Sequence, residues 1–369
     1  MKRLRKELDK RLASETFRKL KPYDLTHDFL SNDYLGLSRI NHEADFFLSQ
    51  GGSSRLIAGT SYHHLNLEEA LAQKFETEAA LLFNAGYTAN LGVLSCIPAK
   101  NDLILYDELA HASIKDGMRL SHAKHLKFKH NDTQDLARLL QLHSDNFDTI
   151  FVVVEGLYSM DGDYCPLTDI CDLKNDYEFN LIVDEAHSAG TLGKEGKGLV
   201  YEEQLAKHVY LRIITFGKAF GSHGAAVLCD ETTKTYLINF SRPFIYTTAL
   251  PVQLVQDIST KINHPEIEKR QVTLQENISY FRMLFQSYPL NSSPTSPIQT
   301  LFFPKQDLKK IEQEATRKSI GVKAILPPTV PVNTERLRVS IHAFNTKKEI
   351  DLLHTCIAQS ISLTQTTHH

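Results

Sequence analysis

The sequence lacks three things that would place it quickly. No apolar run approaches the roughly 20 residues a membrane-spanning helix needs. No Cys-x-x-Cys pair occurs, and the five cysteines (Cys96, Cys165, Cys171, Cys229, Cys356) are scattered and odd in number. That pattern suggests neither a zinc ribbon nor a disulfide framework, and it points to a reducing compartment. Charge of one sign is also missing: 41 basic and 44 acidic side chains leave a net charge of -3, which argues against a nucleic-acid partner held by global basicity. The opening Met1-Lys-Arg-Leu-Arg-Lys-Glu-Leu has no apolar core of a signal peptide, and Glu7, Asp9 and Glu15 do not suit a transit peptide. The expectation is a cytoplasmic protein that engages neither nucleic acid nor membrane.

Several catalytic motifs are absent as well. There is no His-Glu-x-x-His zinc box, no Gly-x-Ser-x-Gly elbow and no Gly-x-Gly-x-x-Gly turn. Asp184-Glu-Ala-His187 resembles the Mg²⁺ box of an RNA helicase. Such a machine also needs Gly-x-x-x-x-Gly-Lys-Ser/Thr, and none of Gly193-Lys194, Gly196-Lys197 or Gly217-Lys218 sits in that frame. His122, His125 and His130 fit no common metal spacing and read as surface histidines, so no metal is expected.

What is present is a globular pattern, 42% hydrophobic and 23% charged, long enough to bury a large core. Leu4, Leu8, Leu12, Phe17 and Leu20 predict an amphipathic helix over residues 1–20. Phe29 opens a short strand that runs into turn residues. Five apolar runs follow, near 102–106, 149–154, 180–183, 209–215 and 225–229. They are apolar throughout and do not alternate, which suits strands buried on both faces of a largely parallel sheet. One long helix is predicted over about 255–290, and mixed strand and helix signals follow from about 297. The expected division is 1–40 as an N-terminal helix and strand segment, 41–260 as a large α/β domain, and 261–369 as a connecting helix with a small α+β domain.

In an open parallel sheet, ligands bind beyond the carboxyl ends of the strands. Three of the runs lead there into reactive groups: Glu155 with Ser159, Asp184 with His187, and Thr215 with Lys218. A lysine, a carboxylate and a histidine at adjacent strand ends suit pyridoxal 5'-phosphate (PLP). The lysine amine holds the aldehyde covalently, and a carboxylate keeps the pyridine nitrogen protonated. Hydroxyls and a helix N-terminus hold the phosphate.

Eight ordered segments then make the chain resemble the α-oxoamine synthases, a branch of the fold-type-I PLP enzymes. They are Ser31-Asn-Asp-Tyr-Leu-Gly-Leu, Asn84-Ala-Gly-Tyr-Thr-Ala-Asn, Asp107-Glu-Leu-Ala-His-Ala-Ser, Glu155-Gly-Leu-Tyr-Ser-Met-Asp-Gly-Asp, Val183-Asp-Glu-Ala-His, Thr215-Phe-Gly-Lys-Ala-Phe-Gly, Ile245-Tyr-Thr-Thr-Ala-Leu-Pro, and Pro327-Pro-Thr-Val-Pro followed by Arg336-Leu-Arg. The resemblance implies a large domain with a mostly parallel seven-stranded sheet covered by helices, and a small C-terminal α+β domain. Lys218 would hold the cofactor and later carry the proton. Asp184 would face the pyridine nitrogen and His187 the phenolic oxygen. His111 would stack on one ring face and Ala186 pack on the other. Gly86, Tyr87 and Thr215 would hold the phosphate, with Ser159 near the ring. Thr247 and Thr248 would reach the phosphate from the second subunit of a homodimer. Arg18, Asn32, His111, Thr329 and Arg338 would face substrate. Arg338 would take an amino-acid carboxylate, although Arg336 lies on the same face of the strand and pattern alone does not choose between them. The implied reaction is decarboxylative condensation of L-alanine with a pimeloyl thioester, carried by CoA or acyl carrier protein. Sister reactions join glycine or serine to other acyl groups. After His187 the chain reads Ser-Ala-Gly where relatives often have Gly-Thr-Gly, a change that bears on acyl-donor fit.

Overall fold

The computed structural model describes residues 9–10, 12–14, 26–39, 52–327 and 329–365. Among them no helix is long and apolar enough to cross a membrane. Of the expected N-terminal helix, Asp9–Lys10 and Leu12–Ala13 are helical and Ser14 is a turn; its other residues, Arg18 included, lie outside the described set. The chain divides into two compact units. One gathers the chain up to Ser31, Met160–Gly162 and everything from Gln275 onward; the other holds Asn32–Ser159 and Asp163–Leu274.

Strand β1 (His27–Asp28) belongs to the smaller unit; the sequence placed a strand at Phe29, where the chain already bends. The larger unit contains β2 (Ala79–Phe83), β3 (Leu103–Asp107), β4 (Lys124–Phe128), β5 (Ile150–Glu155), β6 (Asn180–Asp184), β7 (Leu211–Thr215) and β8 (Ala225–Cys229). They form one sheet in the order β2-β8-β7-β6-β5-β3-β4. Only β8 runs antiparallel to its neighbours. The five predicted runs are β3 and β5 to β8. The two strands that escaped pattern reading are the sheet's edges. β4, Lys-His-Leu-Lys-Phe, is mostly exposed, as edge strands often are. β2, Ala-Ala-Leu-Leu-Phe, carries no β-branched residue and follows a helix, so it reads as helix.

The unbroken apolar runs are explained by two cores. Phe151, Val153 and Ile182 face one cluster. Ile150, Val152, Val154, Leu181 and Val183 face the other. Alternate residues therefore point to opposite faces, and both faces are covered.

The predicted helix over 255–290 is two helices, Val252–Ile262 and Ile267–Leu284. Pro265 separates them, since its ring removes a donor and disfavours helix at His264. The boundary between units falls inside the second helix, between Leu274 and Gln275, whereas the sequence placed it at 260/261.

The smaller unit is built on an antiparallel sheet of β9 (Ile298–Phe302), β12 (Arg336–Ser340) and β11 (Lys323–Ile325), with β12 central. A short parallel pair joins β1 to β10 (Ile320–Gly321). The N-terminal strand is thus part of this unit rather than a separate segment. Helices Lys305–Arg317 and Lys347–Gln365 complete it.

Candidate active site

The carboxyl ends of β5, β6 and β7 and the start of helix Gly86–Leu94 enclose a cavity of about 240 Å³ within the larger unit. Its lining includes Gly86, Tyr87, His111, Asp184, Ala186, His187, Thr215 and Lys218, all predicted from sequence. Asn90, Ser113, Glu155 and His223 line it as well.

Each side chain is placed by its element. Asp184 ends β6, and its Oδ1 accepts the Ala186 N–H at 3.0 Å while Oδ2 accepts from Asn90 Nδ2 at 2.7 Å. These two donors, one on each oxygen, fix the plane of the carboxyl group. Glu185, the next residue, points to the sheet's other face and pairs with Arg212. Two adjacent acids of one motif thus have separate jobs.

Lys218 sits in the loop between β7 and β8. The antiparallel return of β8 keeps that loop short, closed by Phe216 N–H to Gly224 O and Ser222 N–H to Phe216 O. Gly221 allows the close turn: its φ is +60°, and a Cβ there would lie 2.2 Å from the Ser38 nitrogen.

His111 caps helix Ala112–Leu120. Ser113 N–H donates to its Nδ1 at 3.2 Å, and Ser113 Oγ lies 2.8 Å from the same atom. Nδ1 is therefore an acceptor and the ring is the Nε2–H tautomer. Burial, with the charges of Lys218 and Lys115, lowers its pKa against the pull of Asp184, so the imidazole is neutral at pH 7. The Tyr87 ring stands edge-on to it, with centroids 6.3 Å apart, and the Tyr87 hydroxyl donates to Asp116.

Gly86 and Tyr87 open their helix with backbone N–H groups that have no partner within the helix. A Cβ on Gly86 would come within 2.5 Å of Thr215 Cγ2, so glycine lets the helix start reach the threonine. This is a cradle for an anion. At the other end lies a carboxylate suited to a ring cation, and between them a lysine. The Asn90 Oδ1 is buried without a protein partner. These groups fit PLP, with the phosphate at Gly86, Tyr87 and Thr215 and the ring nitrogen at Asp184.

Some predicted residues lie elsewhere. Ser159 is not among the cavity-lining residues. Asn32 accepts the Tyr34 hydroxyl at 3.1 Å, and that hydroxyl is also 2.8 Å from His187 Nδ1, so Asn32 reaches the site through Tyr34. Thr247 lines a separate small cavity with Arg55 and His64, and the Thr248 carbonyl accepts from Asn84. Thr329 and Arg338 belong to the smaller unit. There, Arg336 is paired with Asp161, while Arg338 donates to Ser340 Oγ at 3.0 Å. Sequence reading passed over Asn90, Ser113 and Tyr34, although all three sit inside segments it quoted. Their hydrogen-bonding role depends on contacts far along the chain, which no local pattern encodes.

His130 is also corrected. It is not a surface histidine but a bridge: its Nδ1 lies 2.9 Å from Asp107 and its Nε2 lies 2.7 Å from Asp163, with its ring edge-on to Tyr158. His122 and His125 are exposed, as expected. Burial opposes the charge on His130, but the hydrogen bonds its ring donates to the two carboxylates push its pKa up to about 9. A folded pKa above the unfolded value of 6.5 gives stability that is complete below pH 6.5 and lost as pH rises through 9. The expected loss between pH 6.5 and 9.5 is of order 2 kcal/mol, after allowance for partial exposure. Urea unfolding at the two pH values tests it; a His130→Gln variant should show a much flatter profile.

The fold and this site define a fold-type-I PLP enzyme. The comparisons agree. The class I and II aminotransferase family matches residues 28–357. The 8-amino-7-oxononanoate synthase of Emericella nidulans is 37% identical over 90% of this chain and 88% of its own length. Among solved structures, an 8-amino-7-oxononanoate synthase from Francisella tularensis superposes with a TM-score of 0.77, 29% identity, and coverage of 93% and 99%. A serine palmitoyltransferase from S. paucimobilis, solved with a bound PLP–myriocin aldimine, gives a TM-score of 0.87, 25% identity, and 98% coverage of both chains. The chain belongs to the class I and II aminotransferase family and, within it, to the acyltransferase branch that holds the 8-amino-7-oxononanoate synthases. Its cofactor is PLP.

Proposed function

We propose that this enzyme condenses L-alanine with a pimeloyl thioester, on CoA or acyl carrier protein, releasing CO₂ and the free thiol carrier and forming 8-amino-7-oxononanoate, a step of biotin biosynthesis. The observation that carries the reading is the convergence of Lys218, Asp184, His187 and His111 on one cavity beside an anion cradle. Bound PLP supplies the electron sink that makes the amino acid's Cα–H acidic. Asp184 would hold the ring nitrogen protonated, and the amides of Gly86 and Tyr87 with Thr215 would hold the phosphate. Lys218 Nζ would take the Cα proton and later return one, since a neutral amine is a competent base. Arg338 is the residue we assign to the alanine carboxylate. A guanidinium suits that role because it can make two parallel charge-assisted hydrogen bonds to a carboxylate.

A homodimer is part of the proposal. Neither Thr247 nor Thr248 lines the cavity of its own chain, which supports their serving the phosphate of a second copy.

A sister reaction, such as that of a serine palmitoyltransferase or a glycine C-acetyltransferase, is the competing reading, since the superposition is better for the former enzyme. Backbone likeness does not set substrate choice, however; side chains do. The 37% identity to an 8-amino-7-oxononanoate synthase, against 25% to the palmitoyltransferase, favours the first reading. The test is a panel of alanine, glycine and serine against pimeloyl, acetyl, succinyl and palmitoyl thioesters. Alanine with the pimeloyl thioester should give the highest kcat/KM by at least about tenfold, a difference of roughly 1.4 kcal/mol. Preference for serine with a long acyl chain would overturn the proposal.

A further inference from the structure

Glu155 ends β5, lies 4% exposed, and lines the cavity. None of the roles above uses it. It stands directly opposite Asp184 in the parallel register of β5 and β6. Two carboxyl groups side by side in a buried place are costly unless one is neutral or well bonded. Asp184 receives two donors from its surroundings. Glu155 receives a different one: its Oε1 accepts the backbone N–H of His111 at 2.6 Å.

That bond has leverage. His111 is the residue from which helix Ala112–Leu120 starts, so its backbone position fixes where the ring emerges. The ring is then locked by Ser113, whose Oγ accepts from Asn90, and Asn90 also donates to Asp184. The imidazole that faces the cofactor is thus tied at one end to Glu155 and at the other, through Ser113 and Asn90, to Asp184.

We propose that Glu155 is a positioning residue: by holding the His111 backbone amide it sets the plane in which the imidazole lies against the cofactor ring. This rests on the PLP reading above. Burial first, and then the charge of Asp184, push the Glu155 pKa up to about 8, so at pH 7 it is a neutral acid whose carbonyl oxygen accepts. Glutamine reproduces a neutral acceptor of the same length; methionine fills the space and offers no such acceptor.

The test compares Glu155→Gln, Glu155→Met and His111→Ala holoenzymes, singly and with Glu155→Met combined with His111→Ala. The readouts are the visible circular dichroism of bound PLP and its dissociation constant. Leaving a buried donor unsatisfied should raise that constant about tenfold in Glu155→Met and weaken the dichroic band. Glu155→Gln should recover most of both. Added to His111→Ala, Glu155→Met should cost little more, because both act through the same ring. A wild-type band and affinity in Glu155→Met, equal damage in Glu155→Gln, or fully additive effects would each overturn the proposal. If Glu155→Met does not fold, Glu155→Asp, which withdraws the acceptor by one methylene, makes the same comparison. A wild-type protein that binds no PLP overturns the cofactor reading instead.

Discussion

A Lys218→Ala variant should turn over alanine and pimeloyl thioester at least about 10³-fold more slowly than the wild type, because it loses both the covalent tether and the base. The loss should fall mainly on kcat, since the groups proposed to hold the phosphate and the ring nitrogen, at Gly86, Thr215 and Asp184, remain. Stability should change little: the lysine lies on a loop, and the turn around it is made by backbone bonds of Phe216, Gly221 and Ser222. Steady-state release of free thiol measures the rate, and far-UV circular dichroism checks the fold. In the wild type, borohydride followed by peptide mapping should place the cofactor on Lys218. A variant within tenfold of the wild-type rate, or a label on another lysine, would remove Lys218 from the mechanism.

The largest effect on stability should come from the pair on the opposite face of the same strands. Arg212 Nε donates to Glu185 at 2.6 Å, and its Nη groups donate to the carbonyls of Phe75 and Lys197. Its guanidinium lies over the Phe75 ring. Glu185 also accepts from Ser188 Oγ and Val200 N–H. The side chains are 3% and 0% exposed. With one partner removed, the other charge is left buried and uncompensated. Arg212→Ala or Glu185→Ala should therefore cost about 3–5 kcal/mol. The double variant Arg212→Met/Glu185→Leu should recover much of that, because packed apolar side chains need no counter-charge. Equilibrium urea unfolding measures all three. A loss below about 1 kcal/mol in the single variants would show that the pair is replaceable by water or rearrangement. Gly198, with φ of +91°, belongs to the same arrangement, since a Cβ there would lie 2.5 Å from Glu185 Oε1.

The sequence alone determined the α/β class and the central strands, because residues buried on both faces leave unbroken apolar runs that survive in the linear text. It also pointed to the cofactor, and it brought forward Lys218, Asp184 and His187, which lie just beyond or at the ends of those runs, within short contiguous motifs, and which line one cavity. It did not locate the edge strands β2 and β4, whose exposure or composition blurs the pattern, nor the break at Pro265 within a long helical period. What only the tertiary structure decided is how the motifs hold one another. Glu155 meets His111 across 44 residues, Tyr34 meets His187 across 153, and Asn90 meets Asp184 across 94. The same holds for Arg336, which pairs with Asp161 across 175 residues. Hydrogen bonds of this kind depend on distance in space and carry no period along the chain, so they become visible only when the chain is folded.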